Sequence, residues 1–132
     1  MGFTFSKEER LCSHTLIDNL YADGHRLMAF PYSVQWQKVE NKPLCQVLII
    51  APKRRFHHAV DRNRIKRLTR ECYRTLKPSL YNFLQEHGIS ITLSLAYVHT
   101  EIMTYEQLHH KMEKMIVTLQ EDILKKLDNE AV

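Results

Sequence analysis

Apolar and polar residues alternate most cleanly over residues 89 to 98, ISITLSLAYV. Ile89, Ile91, Leu93, Leu95 and Tyr97 fall on one side, and Ser90, Thr92, Ser94, Ala96 and Val98 on the other. That period of two predicts a strand. Two other stretches carry a strand pattern. Residues 27 to 39, LMAFPYSVQWQKV, are rich in aromatic and β-branched types, with Pro31 marking an edge or a bulge near the start. Residues 44 to 51, LCQVLIIA, form a short apolar run after a turn at ENKP, and the two stretches are expected to pair as a hairpin. Helical spacing takes over elsewhere. Leu11, Thr15, Ile17, Leu20 and Tyr21 recur behind SKEE at Ser6 to Glu9, a capping-box pattern, and ahead of Gly24, so a helix is expected from about residue 7 to residue 22. A second helix is expected from His58 or Ala59 to about Leu76, where Pro78 stops or kinks it. A short helix over 79 to 87 then closes at Gly88. Thr104 caps a final helix with Tyr105, Leu108, Met112, Met115, Ile116, Leu119 and Ile123 on its apolar face.

PKRRF, ahead of the second helix, is extended or loop and at most a short strand, because Pro52 has no amide hydrogen to give a sheet. The expected fold is α+β, a small mixed sheet packed with helices in the order α-β-β-(short β)-α-β-α. With 132 residues the chain is read as one domain over 1–132, its ordered core spanning about 6–124.

Charge changes the picture at one place. Pro52 to Lys77 holds ten Lys or Arg against Asp61 and Glu71, a local charge of +8 in a chain whose whole charge is +4. The remainder of the chain is therefore net acidic. On a helical wheel Ile65, Leu68, Cys72 and Leu76 share an arc of about 80°. Arg62, Lys66, Arg70 and Arg74 form an i, i+4 stripe on the other side, with Arg67 beside it. Stacked like charges destabilise a helix by a few tenths of a kcal/mol per pair, a cost that phosphates would remove. Arg outnumbers Lys five to one between Arg62 and Arg74, which favours bidentate phosphate contacts and stacking on bases. The expected partner is a nucleic acid.

Other chemistry is poorly supported. Three widely spaced cysteines (Cys12, Cys45, Cys72) match no disulfide framework and no zinc spacing, and suggest reduced thiols in the cytoplasm. His57–His58 and His109–His110 have no Cys or acidic partner at ligand spacing. Three glycines give little support to a phosphate-cradling loop, and no catalytic grouping stands out beside the basic helix. The apolar runs are too short to span a membrane, and the first residues are too polar for a signal peptide. Gly2 with Ser6 matches a myristoylation pattern that is common by chance. From the residues alone, a ribosomal-type RNA binder, a helix-in-groove DNA reader and a stand-alone nuclease using the histidines stay open. The leucine-zipper version of the DNA reader is disfavoured because Pro78 and Gly88 interrupt the heptads it needs.

AVDRNRIKRLTRE closely resembles the signature helix of the bacterial ribonuclease P protein component, in which an R-N-R core is followed by K-R and then R-E or R-Q. The lead-in PKRRFHHAV, the Leu20–Tyr21–x–x–Gly24 ending of the first helix, and Thr104–Tyr105–Glu106 resemble the same family in order and spacing. The resemblance spans about Ser6 to Ile123. It implies a left-handed βαβ crossover. It also implies a subunit that assembles with a catalytic RNA, supports removal of the 5′ leader of precursor tRNA, needs no obligate protein partner, and leaves catalysis and Mg2+ mainly to the RNA. No protein side chain is then catalytic. The resemblance assigns Arg62, Asn63, Arg64, Lys66, Arg67 and Arg70 to the RNA subunit, with Lys53, Arg54 and Arg55 extending that surface. It places the leader in a cleft near Ile17 and Tyr21 and a strand aromatic such as Phe30, Tyr32 or Trp36. Ile17 stands where the family often has Phe, so only apolar contact is expected there. Phe56, His57 and His58 stand where the family often has a Gly.

Overall fold

The computed structural model describes residues 9–40 and 44–130. Its elements are α1 (His14–Asp23), β1 (His25–Ala29), β2 (Tyr32–Val39), β3 (Cys45–Ile50), α2 (Ala59–His87), β4 (Ser90–Tyr97) and α3 (Tyr105–Glu130). The four strands form one sheet in the order β1-β2-β4-β3. β1 and β4 pair antiparallel with β2, and β3 pairs parallel with β4.

The expected hairpin between residues 27–39 and 44–51 is not formed. The first stretch is itself a hairpin, β1 and β2, turning at a cis Phe30–Pro31 bond. β4 then inserts between β2 and β3. It is the strand with the most buried residues, and a central position buries both of its faces. In register, Tyr32 faces Tyr97, Val34 faces Leu95 and Trp36 faces Leu93, while Val47 and Ile49 face Leu93 and Leu95 from the other side. These residues form one apolar face, which belongs to the core that also holds Ile65, Cys72, Tyr73, Leu80 and Leu84 of α2 and Leu108, Met112, Met115, Leu119 and Ile123 of α3. Two polar ties cross this layer: Tyr32 Oη to Thr69 Oγ1 at 2.8 Å, and Trp36 Nε1 donating to Asp122 Oδ2 at 2.8 Å. The opposite sheet face carries Ser33, Gln35, Gln37, Thr92, Ser94 and Leu48 by alternation, and α1 packs there through Tyr21.

The second helix does not end near Leu76. α2 continues through Pro78 to His87, absorbing the expected short helix, and closes at Gly88 in the left-handed region (φ 63°). Proline inside a helix costs about 3 kcal/mol. Here Ile65, Thr69, Cys72, Tyr73, Lys77, Leu80 and Leu84 keep one buried stripe in phase across the proline, and their burial offsets that cost.

The first helix also begins later than its periodicity suggests. Ser13 caps it, its Oγ accepting from Leu16 N at 3.3 Å. Ser6 of the expected capping box lies outside the described residues, and Glu9 precedes the helix in a different role. The chain at Arg10 bridges Val47 on the free edge of β3, with Leu11 N donating to Val47 O at 3.0 Å. Glu9 accepts from Lys77 Nζ at 2.7 and 2.8 Å and from Tyr81 Oη at 2.6 Å. A sheet edge that offers backbone partners, together with a half-sealed ion pair, holds residues 9–11 extended. α1 ends where Gly24 turns extended, and only glycine fits there because a Cβ would lie 2.2 Å from Leu20 O. Thr104 and Gln107 form a reciprocal cap at the start of α3, each side chain accepting the other's amide.

Candidate RNA interface

The basic residues lie on the crossover between parallel strands β3 and β4, and the structure sorts them into three groups. Lys53 and Arg54 are exposed on a turn between β3 and α2, where Arg55 N and Phe56 N both donate to Pro52 O at 3.2 Å. PKRRF is thus a turn and not a strand, and Arg55 is partly buried with its Nε sealed from solvent and without a hydrogen-bond partner. Asn63, Arg64 and Arg67 are exposed on α2. Arg62, Lys66 and Arg70 are half-buried.

That third group has particular surroundings. Arg62 Nη1 donates to the carbonyls of Phe56 and His57 at 2.8 and 2.9 Å, so this guanidinium closes the turn onto the helix. Lys66 and Arg70 line a concave pocket of about 200 Å³ with Arg10, Leu11, Cys12 and β3 residues Val47 to Ile49. Three cations around an apolar floor are suited to a phosphate or carboxylate. Arg10 had no signal in the sequence, because its part in the pocket depends on residues 9–11 leaving the helix and joining the β3 edge. Arg74, at the end of the expected stripe, is engaged by Glu71 at 2.8 Å.

The proposed leader-binding residues do not all come together. Tyr21 is 39 % exposed on α1, and its hydroxyl lies 3.3 Å from Ser94 Oγ. Ile17, one turn earlier, is partly exposed. Tyr32 and Trp36 are 0 % and 2 % exposed on the opposite, helix-packed face, so neither can stack on a base in a cleft beside α1. Strand alternation decides this: both are even-numbered residues of β2 and belong to the core face. Phe30 is exposed but lies at the end of the sheet, its ring 4.9 Å from that of His99. His99 lies two residues beyond the end of β4, five residues on from Ser94. The sheet face toward α1 is instead polar at Gln35, Thr92 and Ser94, where Gln35 Nε2 and Thr92 Oγ1 are buried without a partner. The alternation of Gln35, Thr92 and Ser94 with the core residues is visible in the sequence, but polar strand positions carry no stacking signal there.

Burial disfavours the charged forms of a core thiol and two core hydroxyls. Desolvation pushes the Cys45 thiol up to about 12, and raises the Tyr73 and Tyr81 hydroxyls well above their ordinary values. Among the described residues no group of three or more His, Cys, Asp or Glu could hold a metal ion. No described helix is long and apolar enough to cross a membrane.

A mixed sheet whose parallel crossover is an arginine-rich helix, with cations on the helix, the preceding turn and a neighbouring strand edge, defines a polyanion-binding protein. The sequence model of the Ribonuclease P family matches residues 5–120. A ribonuclease P protein component from Porphyromonas gingivalis is 31 % identical over 119 residues, covering 89 % of this chain and 87 % of that protein. Another from Chlorobium phaeobacteroides is 32 % identical over 102 residues, covering 70 % of each. The chain therefore belongs to the ribonuclease P protein component family. Solved RNase P proteins share the fold. A Staphylococcus aureus RNase P protein mutant has a TM-score of 0.67 at 18 % identity, covering 86 % of this chain and 90 % of that one. The Thermotoga maritima protein has a TM-score of 0.63 at 17 % identity, covering 82 % and 94 %.

Proposed function

We propose that this chain is the protein subunit of a ribonuclease P ribonucleoprotein, binding the catalytic RNA subunit and the 5′ leader of precursor tRNA while the leader is removed. The observation that carries the reading is the R-N-R helix, set in the family's fold with its Asn63–Arg64–Arg67 surface exposed. Lys53, Arg54, Asn63, Arg64 and Arg67 contact the RNA subunit directly. Lys66 and Arg70, with Arg10, hold a phosphate in the adjoining pocket. Arg55 and Arg62 shape the turn that presents them, and Arg62 keeps part of its guanidinium for RNA. The leader runs against α1 at Ile17 and Tyr21, over the polar sheet face at Ser94. Mg2+ and the cleavage chemistry are assigned to the RNA, and the complex to the cytoplasm.

Reconstitution tests this. The protein alone should cleave nothing. With its cognate RNA subunit at low magnesium it should stimulate release of the 5′ leader from precursor tRNA. Cleavage by protein freed of RNA would overturn the assignment of catalysis, and a preference for duplex DNA over structured RNA would overturn the assignment of partner.

A further inference from the structure

The end of the sheet where β3 and β4 finish carries a chain of aromatic rings, apart from both the basic face of α2 and the surface beside α1. Phe30, in the β1–β2 turn, is 47 % exposed and lies 4.9 Å from His99, centroid to centroid. His99 lies 6.4 Å from Tyr97, and Tyr97 lies 5.9 Å from Phe56. Tyr97 and Phe56 are buried. The chain therefore runs from solvent at Phe30 to the foot of the Lys53–Arg55 turn. Several bonds fix it in place. Val98 N donates to Pro31 O at 2.8 Å, tying the β1–β2 turn to the end of β4. Tyr97 Oη donates to Glu101 O at 2.6 Å and accepts from Met103 N at 3.2 Å. Thr100 N donates to His99 Nδ1 at 2.9 Å, so the proton of the neutral imidazole sits on Nε2.

An exposed aromatic on a soluble surface needs no partner by itself. This one packs tilted at 56° against an oriented imidazole, and the ring chain that starts with it ends at Phe56, the residue after the Lys53–Arg55 turn. An exposed π-face with one directed N–H donor matches an unpaired nucleotide: the base stacks on Phe30, an acceptor meets His99 Nε2–H, and the phosphates that follow run toward Lys53 and Arg54.

We infer that Phe30 and His99 form a stacking platform for a single unpaired base of the RNA subunit. The inference rests on the ribonuclease P reading. The RNA subunit is chosen over the leader because the platform connects through Tyr97 and Phe56 to the turn and helix assigned to that RNA. Tyr21 and Ser94, assigned to the leader, lie on the other sheet face.

The test uses the full chain and its cognate RNA subunit. Phe30→Ala should weaken RNA-subunit binding by about 10-fold and leave the salt slope of wild type, because stacking is lost and no charge is removed. Phe30→Tyr should bind within about twofold of wild type. Arg54→Ala should instead flatten the slope. Photocrosslinking from p-benzoylphenylalanine at position 30 in the assembled holoenzyme gives a readout that does not depend on how Phe30→Ala folds. A crosslink to one unpaired nucleotide of the RNA subunit supports the platform. Crosslinking to the leader, no crosslink, or Phe30→Ala binding as wild type overturns it. Failure of wild-type protein to bind the RNA subunit would overturn the ribonuclease P reading itself, and is seen in the same titration.

Discussion

Arg62 and Arg67 stand five residues apart in the same basic helix, yet the structure gives them different tasks. Arg62 Nη1 donates to the carbonyls of Phe56 and His57, one partly buried and one exposed. In Arg62→Ala the exposed carbonyl returns to water at little cost, while the partly buried one is deprived of a charged donor. Bonds from charged donors contribute about 1.5–3 kcal/mol when well desolvated. Partial exposure reduces this to about 1–2 kcal/mol for the pair. For a chain of this size the expected fall in Tm is about 3–8 °C. Arg67 is exposed, so Arg67→Ala should leave stability within about 0.5 kcal/mol of wild type. Both variants should weaken RNA-subunit binding, and removing one phosphate contact should reduce the salt slope by about 0.7–0.9. Urea unfolding of the free protein and RNA titration at several salt concentrations separate the two effects. An unchanged unfolding midpoint for Arg62→Ala, or an equal loss for Arg67→Ala, would refute the division of labour.

Three further outcomes follow from the geometry. Lys77→Met strands the Glu9 carboxylate beside Tyr81, with both ionic side chains only about a tenth exposed; it should cost about 2–4 kcal/mol and speed exchange of the Leu11 amide, while normal protection would show that the pair does not hold residues 9–11. Stability should fall as pH rises above about 9: the unfolded chain releases the Cys45 proton there, whereas the folded chain keeps it until about 12, giving about 1.4 kcal/mol per pH unit from this thiol. Denaturant melts from pH 8 to 10.5 check this, Cys45→Ala should lessen the slope, and a flat profile would contradict a buried neutral thiol. Tyr21→Ala should lower the preference for precursor over mature tRNA by about 5- to 10-fold, with Tyr21→Phe near wild type; equal losses on both tRNAs would remove the leader from α1.

The strand at 90–97, the basic helix with its buried Ile65–Cys72 face, the glycine stop at Gly24 and the cap at Thr104 could all be read from the chain, because each depends on neighbours three or four residues away or on simple alternation. A nucleic-acid-binding character could be read as well, since charge accumulates locally in Pro52–Lys77 whatever the fold. The positions that decided the site were set by distant partners. Pro78 reads as a stop locally, but the packing of Leu80 and Leu84 on the core carries the helix past it. Tyr32 and Trp36 read as candidate stacking residues until the pairing of β2 with β4 fixed which face they occupy.

Sequence alone therefore determined most element types and the location of the basic charge, because propensity, periodicity and net charge are local properties. Only the tertiary structure decided that β4 divides β2 from β3, that residues 9–11 leave the first helix for a sheet edge, and that Arg10 joins Lys66 and Arg70 around one pocket. Those outcomes depend on which surfaces are buried together, and burial is a property of the assembled chain.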